Sequence, residues 1–529
     1  MPPIPRILLA AAYAALIMSS AWLLDRFAQQ QLTAHLRDEA AHALALAARG
    51  DTPYRWRFDD AESIVAGRAF GAAQFRFAGG ELVARSSGAP FDVGIVLRRP
   101  VDLALFPQLQ IVASADGPVQ LEVVVYQTMD AHERVLDATA LLRGTDAPPI
   151  DLAANAWKEG GKAAVAPRVA AVLRLRFRMP ADSSLHLRTA ALLRDPHAPR
   201  LDLRLARRVI DAPVPPGDAS AATPVFRLPR SRAAQNVDID AIAQMYTTRQ
   251  PLLLLPQDAR VERQIDFRNA VFAALPGAIL IPERGVEAAF AQARAEADGV
   301  LAPARPWLRW CLLAMYACAL LWSRLRPARS VRVRAVLEAV LALAGPLWLI
   351  LGERFDGRPD AMQQLLIACS LLYAVALSVP RNWRWAGSRR AWVYALAVVS
   401  LAAFAGFALH DWSEPLRPIG TAHVARYLAW ALLQQYLVCA VCTARWQLAG
   451  ANRALAAYLG AVGFALLHAP NAALMLATLM GGLCWCTLYL RERALLPLAV
   501  SHAASALLLL ALLPRSILAS AEVSARFFQ

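Results

Sequence analysis

Cysteine is absent from the polar part of the chain, about residues 25–303, and all seven cysteines lie in the apolar C-terminal half. The polar part therefore does not depend on disulfide bonds, even if it is exported. Lysine is scarce as well: Lys158 and Lys162 are the only two, so arginine supplies almost all of the basic charge behind the formal net charge of +15. The arginines cluster beside hydrophobic runs, which favours the positive-inside rule over nucleic-acid binding, and no nucleic-acid partner is expected.

Hydrophobic sequence is abundant. Of the 529 residues, 57% are hydrophobic and the mean hydropathy is +0.38, values that fit many membrane spans plus a soluble part. Residues 7–24, ILLAAAYAALIMSSAWLL, are long enough to cross a bilayer. Residues 1–24 are interpreted as an uncleaved signal anchor, with a cleaved signal peptide as the alternative. Residues 25–50 are predicted to form an amphipathic stalk helix.

Between residues 51 and 200 the hydrophobic period changes to two. In VLRLRFRM (172–179), apolar side chains alternate with Arg174, Arg176 and Arg178. Many short runs of this kind predict an external β-sandwich-like or jelly-roll-like domain. We interpret the three arginines as a solvated strand face, with an anionic partner as the alternative. Domains of this class take carbohydrate, lipid or protein ligands, and a structural spacer is an equal alternative.

Residues 201–303 are predicted to be a linker followed by a small α/β segment. The stretch APVPPGDASAATP (212–224) has the composition of a linker. The short apolar runs PLLLLP and GAILIP, each followed by a helical pattern, indicate the α/β segment.

From residue 304 to residue 513, apolar stretches alternate with short polar loops, which predicts an all-α polytopic membrane domain of about eight helices, followed by a tail at 514–529. The expected spans lie near 306–323, 334–352, 361–379, 391–409, 425–444, 453–468, 471–490 and 494–513. With the N-terminal anchor, the chain has nine predicted spans.

The loops between these spans predict the orientation. SRLRPARSVRVR and PRNWRWAGSRR are rich in arginine and are expected in the cytoplasm, whereas GERFDGRPD and HDWSEPLRP mix acids with bases and are expected outside. The sequence thus predicts an integral protein of a bacterial inner membrane. Its N-terminus is cytoplasmic and residues 25–303 are periplasmic.

Four polar residues within the last predicted spans form the candidate site. Gln434 and Gln435 are adjacent amides in the run YLAWALLQQYLVCAVCTAR, and His468 and His502 follow on later spans. Polar groups are costly in lipid and usually face the interior of a helix bundle, so they are functional candidates. Two histidines on separate helices can bind a metal, relay a proton, stabilise an oxyanion or simply join helices by hydrogen bonds.

No metal or cofactor is expected. Zinc would need at least a third strong ligand beside the two histidines, and no carboxylate is placed to supply it. The closely spaced cysteines of the C-terminal half are interpreted as packing residues. Glu338 is interpreted as one half of an i,i+4 ion pair with Arg334 at a helix end.

The order and spacing of these polar residues resemble a known family. Residues 425–513 are similar to the CPBP family, which contains the CAAX prenyl proteases and the bacteriocin-processing, Abi-type intramembrane endopeptidases. Phe464-x-x-x-His468 matches one motif of that family, and His502, preceded by LLPLAVS, matches the histidine of another. Gln434 and Gln435 occupy the place of the family's paired glutamates.

The sequence departs from the family motifs at two further positions. Cys439 stands where the family has arginine, and Ala506 stands where it has asparagine or aspartate. The glutamines change the chemistry most, because a carboxylate can accept a proton from water and an amide can only orient it.

The resemblance implies an intramembrane endopeptidase acting on a membrane-embedded or membrane-anchored peptide or protein. In that reading His468 and His502 polarise the scissile carbonyl or the water, while Gln434 and Gln435 position the water. The alternative is a non-catalytic binding, chaperone-like or sensor protein in the lipid bilayer. Its external domain would recognise a ligand, and its glutamines would join helices by hydrogen bonds.

Overall fold

The computed structural model describes residues 6–528 except for 62, 69, 129, 139–147, 154–155, 199, 212–224, 229–249, 258–259, 301–305, 326–329, 358, 378–382, 414, 515–516 and 519. The predicted linker at 212–224 therefore lies outside the described residues. The chain divides into two compact units. One unit contains Met1–Leu32, Asp258–Asp266 and Ala302–Gln529, and the other contains Thr33–Gln257 and Phe267–Leu301.

Helices open the chain and dominate its C-terminal half. Those within the described residues are α1 (Arg6–Arg49), α2 (Leu203–Asp211), α3 (Val261–Ala274), α4 (Val286–Ala297), α5 (Pro306–Leu325), α6 (Val331–Leu347), α7 (Ala361–Leu377), α8 (Arg389–Leu409), α9 (Thr421–Gln435), α10 (Ala444–Leu448), α11 (Arg453–Leu466), α12 (Ala472–Glu492) and α13 (Leu496–Leu512). A π-helical segment, Tyr436–Thr443, joins α9 to α10 without a break, and another, Trp348–Gly352, extends α6.

Strands fill the middle of the chain. They are β1 (Arg55–Arg57), β2 (Phe70–Ala78), β3 (Glu81–Ile95), β4 (Val101–Asp102), β5 (Gln108–Ala115), β6 (Gln120–Tyr126), β7 (Arg134–Asp137), β8 (Ile150–Asp151), β9 (Trp157–Glu159), β10 (Lys162–Ala164), β11 (Val169–Ala170), β12 (Val172–Arg178), β13 (Ser184–Leu193), β14 (Val225–Arg227), β15 (Leu252–Leu255) and β16 (Ile279–Pro282).

Eleven of these strands form one antiparallel sheet, and the predicted β-rich domain is confirmed as a half-barrel. The main path runs β10-β9-β7-β6-β12-β3-β13-β5-β8, with β2 paired to β3 and β1 to β13. Strand β3 is long enough to pair with β13 through its first half and with β12 through its second. This change of partner along one strand lets a single sheet curve around its own core.

The period-two pattern of β12 determines which side chains form that core. Leu173, Leu175 and Phe177 are buried, and the intervening arginines point to the opposite face. Phe177 is opposite Phe91 on β3 and Leu121 on β6, and the two phenylalanine rings stack with centroids 5.6 Å apart. Burying a large apolar side chain contributes about 1.5–3 kcal/mol, so the alternation fixes both register and face.

The small α/β segment is also present. Strands β14, β15 and β16 form a parallel three-stranded sheet, as expected when strands alternate with helices. On one face, Leu252 and Leu254 of β15 pack in one apolar cluster with Ala41 and Leu44 of α1 and with Phe290 of α4, and Leu253 and Leu255 on the other face are buried as well. Continuous apolar strands such as LLLL are typical of a parallel sheet buried on both sides.

Apolar helices make up most of the other unit. Within the described residues, six helices are long and apolar enough to cross a membrane: Ile7–Arg49, Trp307–Leu325, Val331–Gly352, Arg389–Leu409, Thr421–Leu448 and Ala472–Glu492. Three shorter apolar helices, Ala361–Leu377, Arg453–Leu466 and Leu496–Leu512, lie among them in the sequence. The expected C-terminal all-α domain of about eight helices is therefore present, and α1 continues unbroken through the predicted anchor and stalk.

Small residues allow the helices of this unit to pack closely. A Cβ atom added to Gly460 of α11 would lie 2.1 Å from Thr443 Oγ1 and 2.9 Å from Cys486 Sγ. A Cβ atom on Gly482 of α12 would lie 3.0 Å from Ala461 Cα. Close backbone approach through glycine and alanine is the usual means of helix association in lipid, where burial of apolar surface gives little driving force.

Candidate functional site

Three of the four polar residues singled out from the sequence lie in one cluster. Gln435 ends α9, His468 follows α11, and His502 lies in α13, and all three side chains are buried. Gln434, one residue earlier on α9, is half-buried, and its Oε1 atom has no hydrogen-bond partner among the residues that the structure describes. Adjacent residues on a helix point about 100° apart, so only one of two neighbouring glutamines can face the same partner.

Gln435 connects α9 to α13 and to the π-helical segment. Its Nε2 atom lies 3.3 Å from His502 Nδ1. An amide nitrogen only donates, so Nδ1 is the acceptor and the neutral ring carries its proton on Nε2. The Cys439 thiol donates to Gln435 Oε1 across 3.2 Å. Cys439 thus supplies a donor to the carbonyl oxygen of the amide.

Aromatic rings surround the two histidines. His468 Nδ1 lies 2.8 Å from the carbonyl oxygen of Phe464, one turn earlier, so Nδ1 carries the proton and donates. The Phe464 ring meets both imidazoles edge to face, with centroid distances of 4.8 Å to His468 and 5.3 Å to His502. Trp485 packs on His502 at 4.7 Å and donates its indole N–H to Ser501 Oγ at 2.8 Å.

Of the three hydrogen bonds described above for Gln435 and the two histidines, the one between Gln435 and His502 joins two separate helices. The Cys439–Gln435 and His468–Phe464 hydrogen bonds each link residues four positions apart in the sequence. Among the described residues, no group of three or more histidine, cysteine, aspartate or glutamate side chains is placed to hold a metal ion. The buried thiols of Cys439 and Cys486 are 3.8 Å apart.

A second group of polar and aromatic residues lies on the outer face of the half-barrel. The sequence had not indicated that aromatic residues belong to this face. Here the Arg174 guanidinium lies over the rings of Phe70 and Tyr126, with its Cζ atom 5.1 and 5.2 Å from their centroids. All three side chains are half-buried. The arginines of β12 were expected to be merely solvated, but Arg174 packs between two aromatic rings.

Carboxylates hold the next arginine of the same strand. Arg176 donates to Asp92 Oδ1 at 3.0 Å and to Glu133 Oε2 at 2.9 Å, and it lies 3.8 Å from Glu122 Oε2. The Tyr126 hydroxyl donates to Glu133 at 3.2 Å. Hydrogen bonds from Arg176 hold the pKa of Glu133 below its usual value, against a smaller opposing effect of burial. The carboxylate of Glu133 therefore stays charged beside the aromatic pair.

Phe70 lies beside a backbone irregularity. Strand β2 changes register against β3 between Gly71 and Ala73. Gly71 has φ +109°, and a Cβ atom there would lie 2.7 Å from the carbonyl oxygen of Pro90, so glycine is required at this point. A glycine one residue after an aromatic, within an apolar run, was the only sequence signal for this feature.

Comparison with known proteins corrects the family assignment. No curated protein and no solved structure matches the chain. No CPBP family model matches either, so the resemblance drawn from Phe464, His468, His502 and the paired glutamines is wrong. Its motifs were short combinations of residues that also arise when apolar helices pack through aromatic rings and small polar groups. A family model described as "Predicted membrane protein (DUF2339)" matches residues 4–526, and the chain belongs to this family of membrane proteins.

Proposed function

We propose that this protein is a membrane-anchored binding or sensor protein whose half-barrel domain recognises carbohydrate. In this proposal the protein spans a bacterial inner membrane nine times, with its N-terminus in the cytoplasm and residues 25–303 in the periplasm. Six long and three shorter apolar helices support the number of spans. The arginine-rich loops support the orientation.

The observation that carries the proposal is the packing of Arg174 between Phe70 and Tyr126. Aromatic rings on a sheet surface provide flat apolar area, and Tyr126 adds a hydroxyl. A guanidinium fixed by two rings presents its N–H donors at a defined place, at little cost in side-chain entropy. Flat apolar area beside fixed donors suits a sugar ring, which has both an apolar face and hydroxyl edges.

The charges of the same face point to a neutral, polyhydroxylated ligand rather than to an anion. Arg174, Arg176 and Arg178 of β12 contribute three positive charges, and Asp92, Glu122 and Glu133 contribute three negative charges. An anionic partner would therefore meet no net positive charge here, whereas sugar hydroxyls can donate to carboxylates and accept from guanidinium groups. The charge balance therefore favours neutral carbohydrate over the anionic partner considered from the sequence.

The intramembrane cluster has a structural role in this proposal. Gln435 joins α9 to α13 through His502, and hydrogen bonds of this kind between membrane helices contribute about 0.6–2 kcal/mol each. Peptide-bond hydrolysis stays the alternative prediction, since Gln435 and His502 touch and His468 packs on the same phenylalanine. It has lost the family resemblance on which it was based.

Binding of neutral oligosaccharides by the full-length protein in detergent tests the proposal. We expect the wild type to bind at least one member of a panel of neutral bacterial and plant oligosaccharides. The Arg174→Gln variant should bind about tenfold more weakly, a change of about 1.4 kcal/mol. Arg178→Gln is the matched control, because Arg178 is the next outward-facing arginine of β12 and is exposed. Equal loss in both variants, or no binding by the wild type, would contradict the proposal.

A second assay addresses hydrolysis. The wild type and the His468→Ala variant are incubated in proteoliposomes with membrane-anchored peptide substrates. We expect no cleavage above background by either protein. Cleavage by the wild type that disappears in His468→Ala would support the peptidase and would assign the cluster a catalytic role.

A further inference from the structure

A buried carboxylate with three arginine partners lies at one end of the helical unit. Glu338 of α6 is only 1% exposed. Arg334 Nε of the same helix lies 3.0 Å from Glu338 Oε1, and Arg324 at the end of α5 lies 3.4 Å from the same oxygen. Arg445 of α10 lies 2.9 Å from Oε2. The sequence predicted the Arg334 pair alone, because the other two partners come from separate helices.

The cluster carries more positive charge than its carboxylate neutralises. Three guanidinium groups surround one carboxylate, which leaves two positive charges uncompensated within the cluster. Arg445 is the least exposed of the three, at 16%, and it also donates to the carbonyl oxygen of Leu377 at the end of α7. The excess therefore falls to Arg324 and Arg334, which are open enough to meet a counter-anion.

Arg324 and Arg334 supply that exposed side. Their side chains are 36% and 32% exposed, against 1% for Glu338 between them. Arg334 contacts Glu338 through Nε, so its two terminal nitrogens are not part of this contact. Guanidinium groups held in place by a carboxylate form a rigid donor pair, and phosphate oxygens match such donors in charge and geometry.

Exposed apolar side chains border the two arginines. Leu321, Trp322 and Leu325 share α5 with Arg324, and Val331 and Val333 immediately precede Arg334 on α6. A free phosphate ion gains nothing from contact with these apolar side chains. A phospholipid, in contrast, places its phosphate at the basic groups and its acyl chains along the apolar helix surface. Basic pockets between membrane helices are known to hold anionic headgroups in this way.

We propose that Arg324 and Arg334 bind the phosphate of an anionic phospholipid, with Glu338 as the residue that positions both guanidinium groups. The site is independent of carbohydrate recognition, because it uses different residues in the helical unit. In the proposed orientation this end of α5 and α6 faces the cytoplasm, where anionic lipids attract basic segments by about 1 kcal/mol per charge.

The test uses the full-length protein purified in neutral detergent and examined by native mass spectrometry with phosphatidylglycerol or phosphatidylcholine. We expect the wild type to retain phosphatidylglycerol at least tenfold more than phosphatidylcholine. Arg324→Gln and Arg334→Gln should each reduce this preference by about fivefold or more. Arg309→Gln is the matched control, since Arg309 lies near the opposite end of α5 and pairs with Glu353 and Asp360. It should leave the preference unchanged.

Two further arms keep the outcome decisive. Inorganic phosphate at millimolar concentration is added as a competitor, and full displacement of the lipid by phosphate would overturn the lipid assignment in favour of a free anion. Native mass spectrometry reads only the folded species, so a variant that partly unfolds still reports its lipid occupancy. Equal retention of the two lipids by the wild type, or an equal loss in Arg309→Gln, would overturn the proposal.

Discussion

The polar cluster around Gln435 and the polar face around Arg174 differ in how far their side chains are open to solvent. In the helical unit, Gln435 bonds to His502 and Cys439, and the amide is fully buried among protein atoms. On the half-barrel, Arg174 and Glu133 are also held by neighbours, yet each keeps part of its surface open to solvent. A buried polar cluster in lipid is thus explained by the need to pair every polar group, whereas a partly exposed one retains hydrogen-bonding capacity for a ligand.

The contrast also shows why an intramembrane polar residue is only a first indication of function. Hydrocarbon gives an unpaired amide no partner, so selection for stability alone can place glutamine opposite histidine. A strand face in water carries no such requirement. The ordered packing of Arg174 between two rings, on a surface where it could simply be hydrated, is therefore the more specific sign of recognition.

The largest effect is expected beneath the open face. Phe177→Ala removes a fully buried ring stacked on Phe91, and a large-to-small change of this kind costs about 3–5 kcal/mol. Both the half-barrel and carbohydrate binding should be lost, while the helical unit stays folded. Limited proteolysis of the purified protein, with cleavage sites mapped by mass spectrometry, measures this. Equal protection of residues 51–200 in variant and wild type would show that the outer face does not depend on this core.

The second effect tests whether the intramembrane cluster is closed. Gln435→Leu leaves His502 Nδ1 and the Cys439 thiol without their partner, at a cost of about 1–3 kcal/mol. The double variant Gln435→Leu/His502→Leu should lose less than the sum of the single variants, because both polar partners become apolar together. Thermal unfolding in detergent measures all three proteins.

Gln434→Leu is the control for this series. Within the described part of the chain, the Oε1 atom of Gln434 has no hydrogen-bond partner, so replacement of Gln434 by leucine should be neutral or slightly stabilising. A destabilisation equal to that of Gln435→Leu would show that the two glutamines contribute alike and that the pairing of Gln435 with His502 has no special weight.

A smaller effect is expected in the pH dependence of stability. Arg176 holds the pKa of Glu133 below its unfolded value, so the folded state binds fewer protons than the unfolded state in this range. The contribution is present above the unfolded glutamate pKa, about 4.3, and is lost as the pH falls through the lower folded value. Because Glu133 is well exposed, its size stays below about 1 kcal/mol.

The measurement compares the melting temperatures of the wild type and Arg176→Gln between pH 7 and pH 3.5. As the pH falls, the difference in melting temperature between the wild type and Arg176→Gln should shrink, so that their two curves converge. Arg178→Gln should run parallel to the wild type. Parallel curves for Arg176→Gln would mean that the ion pair contributes nothing in solution.

Arg174→Gln should change stability little, although it weakens carbohydrate binding about tenfold. Arg174→Gln loses two cation–aromatic contacts at a partly exposed site, about 0.5–1 kcal/mol in total. Its melting temperature should stay within a few degrees of the wild type. Calorimetric titration with the oligosaccharide found in the panel should nonetheless show the tenfold weaker binding. A large loss of stability would assign Arg174 a structural role.

Periodicity along the chain was enough to predict the main parts of the fold. The alternation of VLRLRFRM gave strand β12 and its buried face, and the long apolar runs gave the helices of the C-terminal half. The half-barrel curvature could not be predicted, because it depends on β3 exchanging one partner for another along its length. Strand order is a property of distant segments, and a local pattern does not contain it.

The candidate sites show the same limit. Phe70 and Tyr126 meet Arg174 because β12 lies between β3 and β6 in the sheet, although β12 is far from both in sequence, and β2 pairs with β3. Arg445 reaches Glu338 across 107 positions of the chain in the same way. The family resemblance failed for the opposite reason: it relied on local motifs, and phenylalanine four residues before a histidine is a common packing pair in an apolar helix.

The π-helical segment Tyr436–Thr443 lies between residues of two polar clusters, the one around Gln435 and the one around Glu338. Gln435 stands at its start, and Arg445 follows its end by two residues. Each residue of an α-helix advances the facing direction by about 100°, and a wider turn changes that angle. The segment thus sets the rotation between the helical turns before and after it, so that Gln435 faces His502 and Arg445 faces Glu338. Removing one residue from the segment would allow at most one of these two contacts to form, so the length of the segment determines whether both are made.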